Sequence, residues 1–117
     1  MKFEIPFATP SNNAVMRMHH RERTRRHQEY AWQLKPVQSP RFDKCFVTVI
    51  RHGSRFLDWD NMGGGLKFLL DAMVKNNLIA DDSPKCILSL SLHQHKCKRA
   101  DEKTVVEITP VTEYMEL

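Results

Sequence analysis

The period of apolar and polar positions changes several times along the chain, and each change marks an element. Residues 2–7 alternate loosely and predict a short strand that runs out at Pro10-Ser11-Asn12-Asn13. Ser11, Asn12 and Asn13 each offer an oxygen to otherwise unpaired first-turn amides, so a helix over 14–34 is expected, stopped by Pro36. Its apolar face is thin: Val15, Met18, Ala31 and Leu34, with Tyr30 and Trp32 near the end. Residues 44–52, KCFVTVIRH, are rich in β-branched and aromatic side chains, and their nearly continuous apolar run places this strand centrally in a sheet. After a turn at Gly53-Ser54, residues 55–60 extend to an acidic pair. Leu66, Leu69, Leu70 and Met73 then follow the stripe i, i+3, i+4, i+7 of a second helix, ended by Asn76-Asn77.

Residues 86–94 and 104–108 read as two further strands, joined by the polar loop 96–103 as an antiparallel pair, and the tail beyond Pro110 is expected to extend the last one. Phe42, Phe46, Phe56 and Phe68 are expected in the core, and Trp59 in the core or a subunit interface. The expected fold is α+β: a small mixed β-sheet in β-α-β-α-β-β order with two helices packed on it, as one domain over 1–117.

Composition narrows the setting. No apolar run approaches a membrane span, and the first ten residues lack the pattern of a leader peptide. Three cysteines, Cys45, Cys86 and Cys97, form no disulfide framework and suit a reducing compartment. A cytoplasmic protein without a membrane partner is expected.

The formal charge of +4 is concentrated. Arg17, Arg21, Arg23, Arg25 and Arg26 face only Glu22 within residues 17–27, and this segment carries the whole excess, with His19, His20 and His27 beside it. Clustered positive charge of this kind fits a phosphate backbone; the plain alternative is a solvated helix face.

The candidate chemistry lies in DWDNMGGGLKFLLDAMVKNNLIADDS, residues 58–83. On an extended backbone, Asp58 and Asp60 point to one side. With Asp82 or Asp81 as a third ligand, they supply the hard oxygens that Mg²⁺ (or Mn²⁺) prefers, and such ions activate water and neutralise the phosphoryl oxygens in phosphodiester hydrolysis. Lys67 would stabilise the transition state or orient the water; its plain reading is an i, i+4 pair with Asp71. Gly63, Gly64 and Gly65 would allow a phosphate-facing turn. The stretch is not a P-loop, because Phe68 follows Lys67, nor an EF-hand, because Met62 and Leu69 stand where oxygen ligands belong. His93, His95 and Cys97 share one strand face, with Cys86 upstream, but their spacing is not that of a structural zinc site, and a polar strand end is the default.

The run Asp58-x-Asp60-Asn61, then Gly-Gly-x-Lys67, x-x-x-Asp71-Ala-Met and Ile79-x-Asp81-Asp82-Ser-Pro, together with Pro10-Ser11-Asn12-Asn13, resembles the RusA family of Holliday-junction resolvases. The resemblance covers nearly the whole chain. It implies a Mg²⁺-dependent homodimeric endonuclease, mostly of bacteria and phages, that nicks branched four-way DNA symmetrically and needs no small-molecule cofactor. It further implies metal binding by Asp58, Asp60 and Asp82, with Asp81 adjacent, and an essential role for Lys67. Asp71 matches a recurrent acid without an assigned role. The chain departs from the pattern in a longer turn at 62–65 and in a basic run reduced to Arg51, His52 and Arg55. Arg17, Arg21, Arg23, Arg25, Arg26 and Arg55 are the candidate DNA contacts. A two-fold dimer also matches the approximate symmetry of a four-way junction. The competing expectation is a non-catalytic nucleic-acid-binding protein on the same scaffold.

Overall fold

The structure, a computed structural model, describes residues 1–111. The expected extension beyond Pro110 therefore falls almost wholly outside the described residues. Strands β1 (Lys2–Ile5), β2 (Cys45–Gly53), β3 (Ile87–Lys96) and β4 (Lys103–Pro110) form one mixed sheet in the order β1-β4-β2-β3. Helices α1 (Asn12–Arg17), α2 (His20–Leu34), α3 (Trp59–Gly64) and α4 (Lys67–Lys75) accompany it, with a 3₁₀ turn at Arg99–Asp101. The α+β class, the mixed sheet and the interior place of β2 agree with the sequence pattern.

The strand order does not. The last two strands were expected to pair with each other, but they flank β2 on opposite sides, β3 parallel to it and β4 antiparallel. Burial explains the exchange. Val105, Val106 and Ile108 of β4 are all buried and need neighbours on both edges, whereas the Leu-Ser alternation of β3 suits a strand paired on one edge. The connection steps across the end of β2, where the Cys97 amide donates to the Gly53 carbonyl (2.9 Å) and the Ser54 amide to the Glu102 carboxylate (2.8 Å).

One face of β2 (Cys45, Val47, Val49) packs with Phe3 and Ile5 of β1 against Tyr30 and Leu34 of α2 and Phe68, Leu69, Ala72 and Met73 of α4. Tyr30 lies edge-on to Phe7, and its burial raises the phenol pKa. Of the phenylalanines expected inside, Phe68 is buried, Phe42 and Phe46 are half-buried, and Phe56 is 63% exposed. Trp59 is 59% exposed in the single chain rather than packed in its core.

The expected long helix is two. Ser11 caps α1 by accepting from the Ala14 amide (3.0 Å), and the chain turns extended at Met18 and His19 before α2 begins. Arg23 holds the break: its Nη2 donates to the Val15 carbonyl (3.1 Å) and its Nε to the Met18 carbonyl (3.3 Å), satisfying the open end of α1. At the end of α4, Leu78 donates to the Met73 carbonyl and Asn77 to Val74, a Schellman closure with Asn77 at φ 57°.

Candidate functional site

The acidic pair sits where β2 hands the chain to α3. Asp58 is extended and stands at the N-cap position of α3 without a side-chain capping hydrogen bond, while Asp60 already lies in the first turn. The alternation expected to aim both carboxylates one way is therefore absent, because the helix starts between them. Both side chains are exposed.

Two side chains from the sheet fix the approach to Asp58. Gln94 of β3 accepts from the Leu57 amide and donates to the Leu57 carbonyl, both at 2.8 Å. Arg51 of β2, only 8% exposed, donates to the Thr9 and Arg55 carbonyls, also at 2.8 Å each. Arg51 is thus a buried strut, and in the reduced basic run it is Arg55 that is exposed. Burial lowers its pKa, and Glu102 partly offsets this.

Gly64 and Gly65 serve packing rather than a phosphate turn. Gly63 and Gly64 are helical, none of the described glycines has a positive φ, and Gly65 closes α3. A Cβ at Gly64 would strike the Asn12 side chain and one at Gly65 the Pro10 carbonyl. The N-terminal segment therefore lies directly on α3, and the Asn13 amide donates to Asn61 Oδ1 (3.3 Å). This joins the arginine-bearing segment to the helix of the acidic pair, a contact sequence alone gave no means of locating.

Lys67 opens α4 and lies 3.5 Å from Asp71, the i, i+4 pair of its plain reading. His27 of α2 approaches the same Asp71 oxygen at 3.8 Å and packs edge-on against Phe68. Asp71 thus links α4 to the basic helix, a role the sequence left open.

Asp81 and Asp82 stand elsewhere. They precede β3, at the end of the sheet where β2 starts, since Cys45 is in register with Ile87 and Phe42 bridges Ile79. Asp58 lies towards the other end, next to Gln94, which is in register with Arg51. Six strand residues separate these levels, about 20 Å at ~3.3 Å per residue. Among the described residues no three His, Cys, Asp or Glu side chains form a group able to hold a metal ion, so Asp58, Asp60 and Asp82 do not converge within one chain. The Ser83 hydroxyl and the Asp82 and Ser83 amides hold the Asp81 carboxyl below its ordinary range, although the hydroxyl is not aligned as a formed hydrogen bond.

The basic residues divide likewise. Arg23 is spent on α1, Arg26 pairs with Glu29 (3.3 Å), and Arg17 Nε donates to the Asn13 carbonyl (3.3 Å). Arg21, Arg25 and Arg55 are exposed. On the sheet face away from the helices, His52 stacks on His95 with ring centroids 5.1 Å apart. No described helix is long and apolar enough to cross a membrane. In comparisons with known proteins, no family model matches the chain, and no curated protein does.

Proposed function

We propose that this chain is a RusA-like, Mg²⁺-dependent endonuclease that nicks branched DNA, working as a homodimer. The observation that carries the reading is the docking of the arginine-bearing segment onto the helix of the acidic pair, through Asn13 and Asn61 and the close fit of Gly64 and Gly65. A strand held by Arg21 and Arg25 would then lie near Asp58 and Asp60. These two carboxylates, with waters and the substrate phosphate, are an adequate ligand set for Mg²⁺. The metal would activate water and neutralise the leaving oxygen. Lys67, at the start of α4, would add positive charge opposite the phosphate.

Asp82 enters this reading only through a second subunit. β3 is an edge strand of ten residues, with Leu88 and Leu90 about two-fifths exposed on it. Antiparallel pairing of two such edges about a two-fold axis would set the start of one β3 beside the end of the other. Asp82 of the partner subunit would then approach Asp58. The two sites would be composite, each incomplete in a monomer.

The test is complementation. Asp58→Asn and Asp82→Asn proteins should each fail to nick a labelled four-way junction in Mg²⁺. Heterodimers of the two, verified by native mass spectrometry, should regain one intact site and cut on one side only. Heterodimers that stay inactive would refute the composite site. Wild-type protein that binds the junction but never nicks it, with or without Mg²⁺, would replace the enzyme by the non-catalytic binder.

A further inference from the structure

The exposed side of α2 carries a pattern that runs beyond the two arginines used in the proposed function. Arg21, Arg25, Gln28, Trp32 and Lys35 recur at i, i+4, i+7, i+11 and i+14, and every one is exposed. They form a single stripe opposite the buried Tyr30 and Leu34, about 20 Å long at ~1.5 Å per residue. Trp32 is 70% exposed, the most exposed of the large apolar side chains among the described residues. Lys35 Nζ lies 5.3 Å from its ring centroid, and together they line an open cleft of ≈ 410 Å³. At the other end, His19, His20, Arg21, Glu22 and Arg25 border a larger cleft of ≈ 830 Å³. An indole left in water at the end of a row of cations has no packing role in the single chain.

We infer that this stripe is a track for single-stranded nucleic acid, with Arg21 and Arg25 on the phosphates and Trp32 as the platform on which an unpaired base stacks. Cations following the backbone and an aromatic face offered to a base are the two parts that binding of unpaired strands requires. A duplex keeps its bases stacked on each other and gives the indole nothing to cover. The track begins at the end of α2 that α1 ties to the acidic pair, so it would lead a splayed strand towards Asp58. This deepens the proposed function by naming unpaired strands as part of the substrate; the track itself needs no metal or cleavage.

The experiment is done in EDTA, which separates it from catalysis. In Trp59→Phe protein, Trp32 is the sole tryptophan, and its emission is followed during titration with oligodeoxythymidylate and with a duplex of equal phosphate number. The expected result is strong quenching by the single strand only. Trp32→Ala should weaken single-strand binding about tenfold while leaving duplex binding unchanged, and Trp32→Phe should restore most of it. Arg21→Ala and Arg25→Ala should weaken both and lower the salt slope by about one each. Unchanged Trp32 emission at saturating single strand, or equal losses on both probes in Trp32→Ala, would overturn the track. Circular dichroism of each variant excludes misfolding, and junction nicking in Mg²⁺ reports separately on the enzyme.

Discussion

Gln94 grips Leu57 through both ends of its amide, a side chain of β3 pairing with a loop backbone as a neighbouring strand would. The residue next to Leu57 is Asp58, so the position of the acidic pair depends on a side chain 37 residues beyond Leu57 in sequence. Gln94→Ala removes both bonds, and Gln94→Glu keeps only the acceptor. Amide exchange at Leu57 should accelerate in the order wild type, Glu, Ala. Global stability should fall by about 1–2 kcal/mol in the alanine protein. Unchanged exchange in Gln94→Ala would mean that the loop is held by Arg51 alone.

Gly63 and Gly65 lie two residues apart and should respond oppositely to alanine. Nothing lies within 4 Å of a Cβ at Gly63, and its backbone is helical, so Gly63→Ala should stabilise by about 0.5–1 kcal/mol. At Gly65 the Cβ meets the Pro10 carbonyl, so alanine should cost about 2 kcal/mol or more by forcing the N-terminal segment off α3. Denaturant midpoints of the two variants measure both effects.

Asn77, at φ 57°, ends α4 in the left-handed region. Glycine there should be neutral or stabilising, and alanine should cost about 1 kcal/mol. Thermal melts of the two variants against wild type decide this. Equal melting temperatures would show that Leu78, buried behind it, holds the turn alone.

His52 makes the fold sensitive to acid. Burial, followed by Lys103 and His95, lowers its pKa from the ordinary 6.5, and Glu4 opposes them only in part. The folded chain therefore takes up this proton less readily than the unfolded chain. Its stabilising contribution is complete above about pH 6.5 and is lost as pH falls through the depressed folded value. His52→Gln should flatten the pH dependence of stability between about pH 7 and pH 5, as read from urea midpoints at each pH. A dependence as steep as that of wild type would assign the acid sensitivity to other groups.

What could be read from the sequence followed the range of the forces involved. The strand character of 44–52, the apolar stripe of α4 and its end at Asn76-Asn77 are set by residues within a few positions of each other, and the structure has them. The start of α3 between Asp58 and Asp60 was missed because three glycines after an acidic pair read as a turn. Here Gly64 and Gly65 instead admit Asn12 and Pro10 at close range, and that contact supports a short helix. The break at Met18 was missed for a related reason: it depends on where the Arg23 guanidinium lands, and spacing does not show that.

The sequence by itself determined the four strand segments and the helical character of most of 14–34 and of 66–75, and that positive charge gathers before Tyr30 while carboxylates gather at 58–60 and 81–82. Only the tertiary structure decided that β3 and β4 lie on opposite sides of β2, and that one group of carboxylates sits towards each end of the sheet. The physical reason is that hydrophobic periodicity specifies which face of a strand is buried, whereas the choice of neighbour is made by long-range burial and crossing contacts, and these exist only once the whole sheet has formed.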